Sequence, residues 1–106
     1  MNLPEADRTV LQQLADHGDD PDIVRPVVHW LFGSEADLRE VGIRLAAMGW
    51  TDTDPREDGE GWLISPVKLS DLRVDAVASM NEEVASASQN LEITFDGWET
   101  SVEQSN

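Results

Sequence analysis

The sequence predicts an α+β protein with a ferredoxin-like βαββαβ antiparallel sheet and an extra N-terminal helix. Helix-type and strand-type patterns alternate along the chain in the order α-βαββαβ. The first and third strands are the richest in apolar residues, and these are the central strands of the ferredoxin-like order 4-1-3-2. The length of 106 residues predicts a single domain over 1–106, with the last few residues flexible.

The first half of the chain contains clear signals for where its helices and its strand begin and end. The first helix is predicted to begin with Asn2 as its cap and to end at Gly18. A continuous apolar run over 27–32 predicts the first strand, buried on both faces. Ser34 is the expected cap of the second helix, which ends at Gly49. The first helix is then free to cover the other face of the sheet or an edge.

The second half is divided by polar and proline-containing stretches. Residues 50–54 are half polar, which is typical of an edge strand, and the acidic segment 55–61 predicts a turn. The apolar stretch 62–67 predicts the second central strand, with Pro66 at its end or at a bulge. Ser70 is the expected cap of the third helix, which leads into the last strand.

In the last strand the alternation breaks at one place. Leu91, Ile93 and Phe95 share one face, and Asp96-Gly97 then interrupts the period of two. One extra residue at this point returns Trp98 to the same face. A β-bulge with Gly97 at positive φ does this, and so does a tight Asp-Gly hairpin that sets Phe95 opposite Trp98.

The formal net charge of −15 is the strongest compositional feature. Such a surface repels nucleic-acid phosphates and attracts basic partners, although it also serves solubility. The absence of cysteine excludes disulfides and thiolate metal sites. Without a signal peptide or an apolar run of about 18 residues, the expected location is the cytoplasm, with no membrane association.

The sequence motifs do not indicate a catalytic or metal-binding site. His17 is placed to complement the dipole at a helix C-terminus. His29, inside a central strand, is either a buried structural histidine or the general base of a small enzyme that pairs it with a nearby carboxylate. No nucleophile motif, EF-hand spacing or phosphate loop is present, so no catalytic residue, metal or cofactor is predicted.

The tryptophans separate into two kinds. Trp30 lies within an apolar run, and we expect it in the core. Trp98 stands beside carboxylates, so it suits either the core or an interface for a basic, partly aromatic segment, through cation–π contact and charge pairing.

Four stretches carry a family resemblance across nearly the whole chain. They are Gly18-Asp19-Asp20-Pro21-Asp22, Val28-His29-Trp30-Leu31, Met48-Gly49-Trp50 leading to Thr53-Asp54-Pro55, and Asp96-Gly97-Trp98-Glu99-Thr100. Together they resemble the regulator of ribonuclease activity B family, the protein inhibitors of endoribonuclease E. Family members have a long acidic tail after the last motif, whereas six residues follow Thr100 here.

The resemblance implies a ferredoxin-like fold and a non-enzymatic role. Such proteins bind the scaffold region of endoribonuclease E and alter the activity and composition of the RNA-degrading assembly. The partner is then a basic protein segment, without direct nucleic-acid binding; the oligomeric state stays open. The expected partner-binding residues are carboxylates and one tryptophan: Asp96, Trp98 and Glu99, with Asp19, Asp20, Asp54 and Asp58 as a looser rim. A further alternative is an acidic nucleic-acid mimic, which predicts carboxylates in two rows at phosphate-like spacing.

Overall fold

The computed structural model describes residues 3–105. Along this part of the chain the elements are α1 (Glu5–Asp16), β1 (Arg25–Gly33), α2 (Glu35–Ala47), β2 (Arg56–Asp58), β3 (Gly61–Ile64), β4 (Val67–Ser70), α3 (Val74–Ala87) and β5 (Ile93–Thr100). Within these residues no helix combines the length and the apolar character that a membrane crossing requires. The predicted cap Asn2 lies outside the described residues.

The sheet is organised around β1, which is antiparallel to all of its neighbours. It pairs with β5 on one edge and with β3 and β4 on the other. The pairs Leu31–Ile64 and Val28–Val67 belong to one unbroken register, and the His29 amide donates to the Pro66 carbonyl (3.0 Å) between them. Because proline has no N–H, the ladder is interrupted there. With β2 beside β3, the order β5-β1-β3/β4-β2 confirms the ferredoxin-like prediction.

All three helices pack on one face of this sheet. Inward-facing residues of β1, such as Val27 and Leu31, meet α2 and α3 in the core. The α1 helix covers the same face, since Asp7 is hydrogen-bonded to Trp98 of β5 and to Asn81 of α3. The expectation that α1 covers the opposite face is therefore corrected, since α1 lies on the helix face beside the edge strand β5. Within residues 3–105, no helix covers the second face of the sheet.

Several predicted boundaries are confirmed. The Ser34 hydroxyl accepts a hydrogen bond from the Asp37 amide (3.2 Å) at the start of α2. After α1, Gly18 adopts a φ of +86°, and the Asp19 amide closes the helix end on the Leu14 carbonyl (3.0 Å).

Two boundaries predicted in the second half are wrong. The edge strand is Arg56–Asp58 and not 50–54, where Thr51 forms a single bridge to Val67. An edge strand exposed on both faces has no apolar alternation, so its sequence looks like a loop. Ser70 is the last residue of β4, and α3 begins after Arg73 without a side-chain cap.

The interruption in β5 is a bulge. Trp98 pairs with His29 and Phe95 pairs with Leu31, so Asp96 and Gly97 together oppose Trp30. Gly97 has a φ of +90°, which an L-residue with a side chain rarely adopts. The extra residue restores Trp98 to the face that packs against the helices.

Candidate functional site

The uncovered side of the sheet, which we call the open face, is the main candidate for a binding surface. Val28, Trp30 and Phe32 of β1 alternate with the inward-facing residues and are only partly buried. Paired residues on neighbouring strands share a face, so Val67 and Glu99, the partners of Val28, lie there too. The open face therefore combines an apolar centre with polar residues from the neighbouring strands.

A groove of about 480 Å³ crosses this face. Its floor is formed by central strands, and its sides come from the loop after α2, from β2 and from β5. The lining residues are Val28, Trp30, Asp52, Asp54, Arg56, Ser65, Val67 and Glu99.

A cation already lies over the central tryptophan. The Arg56 guanidinium stands 5.9 Å from the centroid of the Trp30 ring, within the range of a cation–π contact. It also donates a hydrogen bond to the Ser65 hydroxyl (2.7 Å). The Trp30 ring therefore presents a surface to which a guanidinium can bind.

Carboxylates surround this groove. Asp52, Asp54 and Glu99 line it and are exposed. Asp58 lies two residues beyond Arg56 on β2, hence on the same face, and exposed Asp96 belongs to the bulge opposite Trp30. Four of the residues predicted to bind a partner, Asp54, Asp58, Asp96 and Glu99, are thus brought together at one surface.

The loop that holds Asp52 and Asp54 is fixed by its approach to α2. A Cβ added at Gly42 would lie 2.2 Å from the Thr53 carbonyl oxygen, far inside van der Waals contact. Only glycine lets the two backbones come this close, so Gly42 sets the position of one side of the groove.

Trp98 does not reach this surface. It is 7% exposed, and its indole N–H donates to the Asp7 carboxylate (2.9 Å) inside the fold. The bulge turns Trp98 toward the helices while Trp30 faces the groove, so the expectation that Trp30 is the core tryptophan is corrected.

Asp19 and Asp20 belong to a structural network around Arg25. The Arg25 guanidinium pairs with the Asp19 carboxylate, whose side chain is 4% exposed, and donates to the carbonyls of Asp20 and Ser101. Asp19 also accepts from the Glu103 amide (2.8 Å). This network fastens the segment after β5 to the loop after α1, and it leaves the Asp19 carboxylate with very little exposed surface to offer a partner.

Asp20 contributes to the same loop through its own side chain. Its carboxylate accepts from the Asp22 amide (2.9 Å), and this bond, together with one from the Ser105 hydroxyl, lowers the pKa of Asp20. The charge of Asp20 is therefore retained in mildly acidic solution, but it lies in the turn and not on the open face.

His29 lies in the core and has no access to substrate. It is 0% exposed, and neither ring nitrogen has a hydrogen-bond partner among the described residues. Burial lowers the pKa of His29 to about 4, against the opposing effect of the Asp7 charge. A histidine enclosed by Trp50, Phe95 and Trp98 is not the solvent-open base that a small enzyme would need.

Within residues 3–105 no three histidine or acidic side chains are grouped as metal ligands. The carboxylates of the open face also share their surface with Trp30 and Arg56 and do not stand alone. A mixed surface of this kind is what binding to a protein segment requires, whereas a nucleic-acid mimic predicts rows of carboxylates.

Six of the eight groove residues were not among the predicted binding residues, and those that carry a ring or a charge are Trp30, Asp52 and Arg56. Trp30 sits in a run that is apolar on both faces, so its direction could not be assigned. One signal did exist, since a lone arginine in the acidic stretch 52–60 is unusual in so acidic a chain.

Fold and surface together define an α+β protein whose open sheet face carries an apolar groove lined by exposed carboxylates. The model of the family "Regulator of ribonuclease activity B" matches residues 4–100, and the chain belongs to that family. Its role is accordingly to regulate a ribonuclease, without catalysis of its own, and such a role requires a protein partner.

Curated relatives carry the same description. The Regulator of ribonuclease activity B of Escherichia coli (strain K12) is 26% identical, over 96% of this chain and 78% of the relative. The protein of Sodalis glossinidius is 27% identical, over 91% and 70%. That of Pseudoalteromonas translucida is 26% identical, over 93% and 95%.

Proposed function

We propose that this protein regulates RNA decay in the cytoplasm by binding a basic, flexible segment of a ribonuclease on its open face. By family resemblance the partner is the scaffold region of endoribonuclease E. The observation that carries the proposal is the Trp30 groove, an aromatic floor surrounded by exposed carboxylates.

The negative charge of the open face favours a basic protein segment as its partner. A flexible segment rich in arginine and lysine would be drawn to the carboxylates and would lose part of its hydration as it packs on Val28 and Trp30. Arg56 shows how such a cation can sit, with its guanidinium over the Trp30 ring. A second copy of this acidic chain would bring like charges together and is disfavoured there.

The predicted partner-binding residues then have two different roles. Asp54, Asp58, Asp96 and Glu99 would contact the segment. Asp19, Asp20 and Trp98 would act indirectly, by holding the strands and loops that present the other four.

Binding of a fluorescent peptide from the basic scaffold region of endoribonuclease E tests the proposal. Replacement of Trp30 by Ala removes the aromatic floor, and we expect affinity to fall about thirtyfold or more, as at a buried tryptophan hot spot. Circular dichroism verifies that the variant is folded.

A charge-matched pair of double variants tests the location of the surface. Asp54→Asn with Glu99→Gln removes two charges from the groove, and Asp75→Asn with Glu82→Gln removes two exposed charges from α3. We expect about tenfold weaker binding for the first pair and at most about twofold for the second, with the difference reduced at high salt. Equal losses in the two double variants would mean that only net charge matters, and the open face would not be the binding site.

A further inference from the structure

A second cleft lies on the helix side of the sheet, between α1, α3 and β5. Its volume is about 460 Å³, and its walls are mostly apolar. Val84, Ala85 and Phe95 form much of the lining, with Asp7, Asn81 and Ser88 as polar residues. Within residues 3–105, no lysine, arginine or histidine lines it.

The polar atoms of this cleft specify what can bind. The Asp7 carboxylate can only accept hydrogen bonds, and the Asn81 Nδ2 group donates to it (2.7 Å). The Asn81 amide orientation is thereby fixed, and its Oδ1 is a buried acceptor with no partner among the described residues. This oxygen is sealed from solvent, so an occupant of the cleft meets the negative charge of Asp7 and not a free acceptor on Asn81.

A second buried polar atom lies at the C-cap of the same helix. The Ser88 hydroxyl oxygen also has no partner among residues 3–105. Asn81 and Ser88 are seven residues apart on one side of α3, a distance of about 10 Å. Both atoms are sealed from solvent, so the surface that the cleft presents between them is the apolar one of Val84 and Ala85.

Phe95 adds an aromatic wall. Its ring stacks on His29, with 5.6 Å between centroids, yet the residue is 40% exposed. An exposed aromatic ring beside the negative charge of Asp7 favours a cation over a neutral group.

We infer that this cleft is an anchor site for an arginine side chain of the basic partner segment; this inference rests on the proposed function. Arginine combines an aliphatic stem for Val84 and Ala85 with a guanidinium that can stack on Phe95 beside the negative charge of Asp7. Lysine has a similar stem but no planar group to stack, so the site distinguishes the two cations.

The experiment uses two synthetic peptides of equal length and charge, one of Arg-Gly repeats and one of Lys-Gly repeats. Affinity is measured by calorimetry, and contact is followed by NMR of the Asn81 side-chain amide and the Trp30 indole. We expect the arginine peptide to bind at least fivefold more tightly and to shift both resonances. We expect the lysine peptide to shift the Trp30 resonance alone.

Three variants test the location of the anchor site. Ala85 is exposed on α3, so Ala85→Leu fills the cleft without a buried cost, and Ser86→Leu is its matched control one residue away, outside the lining. The preference for arginine should disappear in Ala85→Leu and in Phe95→Leu and remain in Ser86→Leu. A preference unchanged in Ala85→Leu, or no preference in the wild type, overturns the anchor site.

The outcomes separate the two proposals. Shifts of Trp30 without any shift of Asn81 remove the anchor site and leave the open face as the binding surface. If neither peptide shifts Trp30 or Asn81, both proposals fail.

Discussion

The buried imidazole of His29 allows a quantitative prediction, because its protonation is coupled to folding. Its ring packs against Trp50, with 4.9 Å between centroids, and against Phe95 and Trp98. Burial lowers the pKa from 6.5 to about 4, although the charge of Asp7 acts in the opposite direction. We expect His29→Phe to remove this coupling while an aromatic ring keeps the same place.

The direction of the pH effect on stability depends on whether the native or the unfolded state binds a proton at His29. Between pH 6.5 and about 4 the unfolded chain carries a proton on His29 that the native protein does not bind, so acidification favours unfolding. At about 1.4 kcal/mol per pKa unit, the shift from 6.5 to about 4 corresponds to about 3 kcal/mol. This is a large share of the roughly 5–15 kcal/mol that stabilises a typical domain.

Urea unfolding at several pH values and constant ionic strength measures the effect. The many carboxylates titrate in both proteins, so the difference in unfolding free energy between wild type and His29→Phe isolates the histidine. We expect the wild type to lose about 3 kcal/mol relative to the variant between pH 7.5 and pH 4. His29→Leu, which has no ring, should show the same pH dependence of unfolding free energy as His29→Phe. Parallel pH profiles for wild type and both variants would refute the coupling.

Three other substitutions have defined outcomes. Trp98→Phe leaves an Asp7 oxygen without its donor and should cost roughly 1–3 kcal/mol in urea unfolding, with little change in peptide affinity; a large loss of affinity at full folding would contradict its structural role. A change of glycine to alanine normally stabilises a helix. In Gly42→Ala, however, the clash with the Thr53 carbonyl should cost roughly 1–3 kcal/mol in unfolding free energy and weaken peptide binding. A gain in stability would show that the loop moves away freely. Arg25→Met should cost about 3 kcal/mol or more and speed hydrogen exchange of the amides after β5; unchanged exchange there would argue against the network.

The sequence carried enough information for the strand order because the relevant signals are local and redundant. The Ser34 cap and the Gly18 terminator each depend on neighbours within a few residues. The Asp96-Gly97 bulge was visible as a break in a period of two. Its alternative, a hairpin, could be decided only by the partner strand, because the register with β1 is a long-range property.

The site was harder to predict, since it depends on which way each side chain of a central strand points. The run 27–32 is apolar on both faces, so periodicity assigns no direction to Trp30 or His29. The bulge then reverses the expected roles of two tryptophans, with Trp98 inside and Trp30 outside. The Arg25–Asp19 pair could not be predicted from the sequence either, because a buried ion pair and an exposed acidic loop have the same composition.

The distribution of ion pairs explains why the open face remains available to a cation. Five basic side chains, Arg25, Arg39, Arg44, Lys68 and Arg73, are each paired with a carboxylate. Across residues 3–105, none of these pairs involves a carboxylate of the open face, and the arginine of that face, Arg56, bonds to a neutral hydroxyl. Within the described residues, Asp52, Asp54 and Glu99 are thus left without an ion pair beside the apolar centre of the open face. Because the open-face carboxylates lie outside these ion pairs, a basic partner gains charge pairing there without first breaking one of them.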